Sequence, residues 1–248
     1  MDVLRQHEIA EAGHRILNPF TDEKLELLGE LCRWRRDQRL LDLGSGKGEM
    51  LCTWARRHGI QGLGVDLSEV FVSAARDRAA HLGVADRVRF EQAEASSFAV
   101  DQASFDAVAC IGATWIGGGL AGTVALLRPA LAAGGLLLIG EPFWREEPPG
   151  EAHAALDLGP YPFTSLVGTL DRFEDSGLEL VEMVLADEHS WDRYMAAQWW
   201  TVAAWLAEHP GHPDAAGMRE YLDRSRRSYL AYGRGHLGWG VFVLRPAG

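Results

Sequence analysis

The stretch Arg39-Leu-Leu-Asp-Leu-Gly-Ser-Gly-Lys-Gly-Glu-Met50 constrains this chain more than any other. Residues 40–43 read as a short buried strand, after which Gly44, Ser45, Gly46, Lys47 and Gly48 turn the chain into a helix starting near Glu49. A turn with so many Cβ atoms missing lets a ligand lie against the backbone. The helix beyond it points unsatisfied N–H groups at the same place, so an electron-rich group can be held there without any side chain.

Glycine spacing narrows the ligand. A dinucleotide fingerprint is Gly-x-Gly-x-x-Gly, and Glu49 stands where its third glycine belongs, which weakens an NAD-dependent oxidoreductase reading. A Walker phosphate loop needs Ser or Thr after the lysine, and Lys47 is followed by Gly48. Residues 61–65 carry a second short apolar strand pattern, and Asp66 follows about twenty residues after the glycine turn, where an acid can accept from both hydroxyls of a ribose. Capping the next helix beside Ser68 is the alternative role for Asp66.

The length of 248 residues and 47% hydrophobic content suit one α/β core with appended helices. A formal charge of −11 argues against a nucleic-acid partner, and the basic run Arg33, Arg35 and Arg36 reads as a solvated helix end. Cys32, Cys52 and Cys110 lack metal-ligand spacing and read as buried reduced thiols, so no metal is expected. The first residues carry Asp2, Glu8 and Glu11 without an apolar core, and no run reaches the roughly eighteen apolar residues that cross a bilayer. A cytoplasmic protein, monomer or homodimer, with no membrane partner is expected.

Along the chain, residues 3–17 have helical spacing that ends at Asn18-Pro19, which puts His14 and Asn18 at the close of a helix able to fold over the cleft. Thr21 is placed to cap a second helix whose buried face holds Leu25, Leu27, Leu28 and Leu31. After the glycine turn come a helix, the 61–65 strand, a helix over 70–82 closed by Gly83, and strands at 87–90, 105–111 and 136–139. Trp115 sits in the glycine-rich loop 112–119 and reads as a pocket wall. Glu141 lies at the carboxyl end of a buried strand, where burial would raise its pKa and suit it to proton abstraction or to holding a cation. Residues 145–159 read as a mobile connection, 163–175 as a helix and 178–186 as a strand. Helices through Trp191, Tyr194, Trp199 and Trp205 and over 218–232 precede a closing strand at 236–244.

Strand, Asp-x-Gly-x-Gly-x-Gly turn, helix, strand and acid together resemble motif I and its sequel in the class I S-adenosylmethionine (SAM) dependent methyltransferases, over roughly residues 39–139. His14-Arg-Ile-Leu-Asn-Pro-Phe20, Gly112-Ala-Thr-Trp115, Ile139-Gly-Glu-Pro-Phe-Trp144 and Trp239-Gly-Val-Phe242 extend the likeness over nearly the whole chain, to the uncharacterised YjhP-like group of bacterial proteins. The resemblance implies a Rossmann-like, doubly wound, seven-stranded sheet, mostly parallel with the last strand antiparallel. It also implies SAM use, leaving S-adenosyl-L-homocysteine, and a small-molecule acceptor. Asp42, Gly44, Ser45 and Gly46 would then hold the methionine end, Asp66 the ribose, Leu67 and Ala95 the adenine faces, Glu94 the exocyclic amine, and Cys110 the floor. Residues 1–36 would form a helical lid, 37–187 the SAM-binding core, 188–235 an insert covering the acceptor, and 236–248 the closing strand. Asn18, Trp115, Trp144, Trp191 and Tyr194 are the expected acceptor contacts, with Glu141 and His14 as expected bases. A non-catalytic SAM-binding regulatory protein would share every cofactor motif.

Overall fold

The computed structural model describes residues 1–156 and 163–248. Its strands are β1 (Arg39–Leu43), β2 (Gln61–Asp66), β3 (Val88–Gln92), β4 (Phe105–Ile111), β5 (Leu131–Trp144), β6 (Leu178–Leu185) and β7 (Leu237–Pro246), in one sheet of order β3-β2-β1-β4-β5-β7-β6. β1 to β5 pair in parallel, and β7 runs antiparallel to both β5 and β6. The order reverses between β1 and β4, which opens a crevice beyond their carboxyl ends.

Alternation along the central strands feeds two apolar layers. Leu40, Ala107, Leu138 and Val241 face α2 (Asp22–Leu31), α3 (Glu49–His58) and α4 (Glu69–His81). Leu41, Val108, Leu137 and Leu244 face α5 (Leu120–Leu127) on the other side, where Phe173 completes the layer. Caps set the helix starts: Thr21 Oγ1 accepts from Lys24 N at 3.3 Å and Ser68 Oγ from Phe71 N at 3.2 Å. Leu27 departs from the face expected for α2 and is 45% exposed.

Further expectations change. Helix α1 covers only Val3–Ala10 rather than continuing to residue 17, because the carbonyls of Glu11, Ala12 and His14 turn to the Lys47 ammonium, Glu11 O accepting from His14 N at 3.0 Å as well. His14 and Asn18 therefore lie on an irregular arm and not at a helix end. β5 runs past residue 139 to Trp144, since β7 supplies hydrogen-bond partners beyond the end of β4. β5 also starts before residue 136, at Leu131, with a bulge at Gly134-Gly135: pairing steps from Phe105↔Leu131 to Ala107↔Leu136. The connection expected to be mobile at 145–159 holds α6 (Gly150–Leu156), while residues 157–159 lie outside the described residues. The following helix, α7, starts at Leu166, not 163, because Ser165 Oγ accepts from Gly168 N at 3.1 Å.

The insert before β7 forms α8 (Glu188–Glu208), α9 (Ala215–Ser228) and a π turn at Tyr229–Gly233. Ile9 and Ala10 of α1 pack with Val202, Met218 and Leu222 in a separate small core. Helix α1 and the insert are thus one packed unit, whereas α2 belongs to the main core.

Candidate active site

Gly44, Gly46 and Gly48 take left-handed φ of 78°, 53° and 69°. Cβ atoms there would also collide: at Gly44 2.8 Å from Ala113 Cβ, at Gly46 2.7 Å from Leu17 Cδ1, at Gly48 2.4 Å from Phe90 Cζ. The turn is tied to β2 by Gly44 N and Ser45 N donating to Val65 O at 2.8 and 3.0 Å. Gly46 N donates to Asp66 Oδ2 at 2.8 Å and Ser68 N to Asp66 Oδ1 at 2.9 Å. Ser68, not Asp66, caps α4. Asp66 instead braces the glycine turn and keeps lone pairs for another donor.

Asp42 is buried at the end of β1, and its Oδ1 has no hydrogen-bond partner among the described residues. Burial, with the Asp66 charge added, pushes its carboxyl up to about 7. Ser45 Oγ is likewise buried without a partner, turned back toward Gly64 of β2. Glu49, in the position of the missing dinucleotide glycine, is buried and held by Arg78 Nε at 2.7 Å and Arg15 Nη1 at 2.8 Å.

An arm of residues 11–18 crosses the mouth of this cradle. Lys47 Nζ donates to the carbonyls of Glu11, Ala12 and His14 at 2.7, 3.1 and 2.7 Å, which satisfies all three of its protons. Burial lowers the Lys47 pKa, and the Glu11 charge opposes that. Leu17 lies over Gly46, and Asn18 reaches β4: Nδ2 donates to Ile111 O at 3.4 Å, with Oδ1 against Gly112. Sequence reasoning passed over both Lys47 and Glu11. The only signal for Lys47 was a lysine in a glycine turn with no phosphate motif to serve.

Glu11 is fully buried. Its Oε1 accepts from Tyr194 Oη at 2.5 Å and Gln198 Nε2 at 2.6 Å, and Oε2 lies 3.1 Å from His14 Nδ1. Burial raises its pKa, but the His14 bond and charge and the Tyr194 bond outweigh it, so the carboxyl stays below the usual range. Tyr194 belongs to α8, so α1, the arm and the insert meet at this one carboxylate.

The remaining expected residues divide. Leu67 is 49% exposed and Ala95 is buried in the next turn, while Glu94 is exposed and caps that turn through Ser96 N at 3.3 Å. Cys110 is fully buried beneath the crevice, its thiol raised by burial and by the Asp42 and Glu141 charges. Glu141 is buried and pushed up to about 7 by that burial, against the Thr114 hydrogen bond and the Arg172 charge. Thr114 Oγ1 donates to Glu141 Oε2 at 2.5 Å, so this carboxyl anchors the 112–119 loop. Glu141 also alternates with Leu137 and Ile139 onto the α5 face, whereas Ile16, Phe20 and Trp191 pack on the opposite one. Trp115, expected as a pocket wall, is 64% exposed. Trp144 is buried, with His153 and Phe163 ring centroids 5.2 and 6.4 Å away. On α8, Trp199 Nε1 donates to Ser225 Oγ at 2.9 Å, Trp205 lies against His209 and His212, and Trp200 is exposed.

A doubly wound sheet whose switch point carries this glycine cradle, with an acid ending each of the first two strands, defines a nucleoside-binding α/β enzyme of the methyltransferase type. Residues 40–135 match the family model described as a methyltransferase domain. The chain is 47% identical over 246 residues to the uncharacterised protein YjhP of Escherichia coli (strain K12), covering 98% of this chain and 99% of YjhP. It also matches the crystal structure of a SAM-dependent methyltransferase from Geobacter sulfurreducens in complex with S-adenosyl-L-homocysteine: TM-score 0.92, 47% identity, 99% of each chain. A SAM-dependent methyltransferase from Thiobacillus denitrificans, in the same complex, gives TM-score 0.92 and 46% identity over 99% of this chain and 100% of that one. The chain belongs to the SAM-dependent methyltransferases.

Proposed function

We propose that this methyltransferase acts on a small-molecule acceptor in a chamber closed by the arm of residues 11–18 together with the α8–α9 insert. The observation that carries the reading is the buried, unpartnered Asp42 Oδ1 beside a glycine cradle that admits no Cβ. An ammonium is the group that such an oxygen lacks, and the amino-acid end of SAM brings one. Asp42, Gly44, Ser45 and Gly46 would hold that end, Asp66 the ribose through its free lone pairs, Leu67 and Ala95 the adenine faces, Glu94 the exocyclic amine, and Cys110 the floor. Leu67 supports this assignment, since a planar ring would cover its half-exposed side chain.

When bound, SAM supplies an electrophilic methyl group. What the chain contributes is alignment and exclusion of water. Lys47 pins the arm across the cradle, Leu17 covers Gly46, and Asn18 latches the arm to β4. An arm in that position favours an acceptor small enough to be enclosed, and the charge of −11 disfavours a nucleic acid. Asn18, Trp191 and Tyr194 on the arm side, with exposed Trp115 and buried Trp144, would contact the acceptor. Of the two expected bases, His14 on the arm would take a proton, while Glu141 is engaged by Thr114.

Calorimetry with S-adenosyl-L-homocysteine tests the cofactor site. Micromolar binding is expected, with Asp66→Ala weakening it at least about 100-fold at unchanged circular dichroism. No heat from the parent protein would refute the assignment. Labelled SAM offered with phenolic, heterocyclic and thiol acceptors then tests transfer. Among the described residues no helix is long and apolar enough to cross a membrane.

A further inference from the structure

The arm carries a buried pair that cofactor binding does not require. Glu11 Oε2 lies 3.1 Å from His14 Nδ1, and the Tyr194 hydroxyl and Gln198 amide both donate to Oε1. With donors converging on it, the Glu11 carboxylate stays ionised inside the protein. An ionised carboxylate facing Nδ1 selects the tautomer that carries its proton on Nδ1 and leaves Nε2 as a bare acceptor. Nδ1 and Glu11 Oε2 stand at ion-pair distance without hydrogen-bond geometry, and Nε2 is buried with no partner of either kind among the described residues. The ring is wedged against Tyr194, with centroids 5.1 Å apart, and its own backbone carbonyl is fixed by Lys47, the residue between Gly46 and Gly48 of the cradle. A buried ring nitrogen that is both orphaned and oriented, on the segment that closes the site, lacks a hydrogen-bond donor. The competing group, Glu141, already accepts from Thr114 on the other face of the sheet.

We propose that His14 is the proton acceptor of the transfer reaction and that Glu11 is the positioning residue behind it, so that the acceptor is a neutral molecule bearing an O–H or S–H proton. This rests on the methyltransferase site proposed above. An acceptor lone pair forms the new bond to carbon while the carbon–sulfur electron pair stays on sulfur, and the acceptor proton passes to Nε2. The imidazolium then faces the Glu11 carboxylate and returns its proton to solvent once product leaves. Tyr194 and Gln198 hold Glu11 in place and touch no reacting atom. Thioethers and tertiary amines, which have no proton to lose, would gain nothing from this pair.

The test is multiple-bond ¹H–¹⁵N spectroscopy of the histidine rings in the full chain, first ligand-free and then saturated with S-adenosyl-L-homocysteine, His14 being assigned by the His14→Gln variant. The expected spectrum has Nδ1 protonated and Nε2 bare in the neutral ring. Glu11→Gln should move the ring toward the Nε2–H form, whereas Tyr194→Phe should leave it unchanged. Phenol titrated into the complex should shift the Nε2 signal saturably, and thioanisole of similar shape should not; a purely structural ion pair would respond to neither. A proton on Nε2 in the parent protein, or an Nε2 signal indifferent to both phenol and thiophenol, would overturn the proposal. Should Glu11→Gln fail to fold, the parent spectrum still decides. Should S-adenosyl-L-homocysteine give no calorimetric signal, the cofactor assignment fails separately, because the tautomer is read without it.

Discussion

Replacing Asp42 by Asn should stabilise the ligand-free protein while damaging ligand binding. Burial and the Asp66 charge raise the Asp42 carboxyl to about 7 in the native state, and the unfolded chain restores the ordinary value. Between those two values the native state holds a proton that the unfolded chain has released, so stability falls as pH rises through that window and is lowest above it. A rise of that size costs about 4 kcal/mol at pH 8. Part of it is returned by the amide's own desolvation, leaving an expected gain for Asp42→Asn of about 1–3 kcal/mol. For a chain of this length that is a Tm increase of about 3–8 °C by calorimetry at pH 8, shrinking toward zero near pH 4. The same carboxylate must ionise to receive an ammonium. Affinity for S-adenosyl-L-homocysteine should therefore climb up to about tenfold per pH unit toward neutrality and level off above pH 7, and Asp42→Asn should flatten that profile. An Asn variant no more stable than its parent at pH 8, with an unaltered pH profile, would show that Asp42 is already paired.

Lys47→Ala takes the ammonium from three carbonyls of the arm, and of these Glu11 O keeps His14 N as a donor. It should accelerate amide hydrogen exchange across residues 11–18 at least about tenfold and weaken the cofactor product, with little change in the main sheet. Gly46→Ala places a Cβ at φ 53°, 2.7 Å from the Leu17 methyl. A loss of about 1–2 kcal/mol in thermal stability is expected, and adding Leu17→Ala should recover the packing part of it but not the backbone strain. Glu141→Gln keeps an acceptor for Thr114 and removes a carboxyl raised to about 7. Stability at pH 8 should rise and cofactor-product affinity should stay within about twofold, as measured by melting and calorimetry.

The cradle was legible because its parts are close in the chain. Residues 39–66 contain a strand, a turn that only glycine can make, a helix start and the acid that braces the turn, and each is dictated by local φ, capping and alternation. Strand positions followed for the same reason, except where another strand decided the length: β5 runs on to Trp144 because β7, almost a hundred residues later, supplies its partners. Helix α1 stops at Ala10 for a similar reason, its next carbonyls belonging to a lysine that sequence spacing cannot bring near.

Side-chain roles that depend on distant partners were not legible. Glu11 read as one acidic residue in a polar leader, yet Tyr194 and Gln198 reach it across 183 and 187 positions. Trp115 and Trp144 were both expected acceptor contacts, and packing exposes one and encloses the other. The sequence by itself determined the glycine cradle and its acid, because torsional sterics and neighbouring hydrogen bonds act within a few residues. Only the tertiary structure decided what covers the cradle, which carboxylate meets His14 and which is spent on Thr114, because burial and charge pairing depend on what folds back from the far end of the chain.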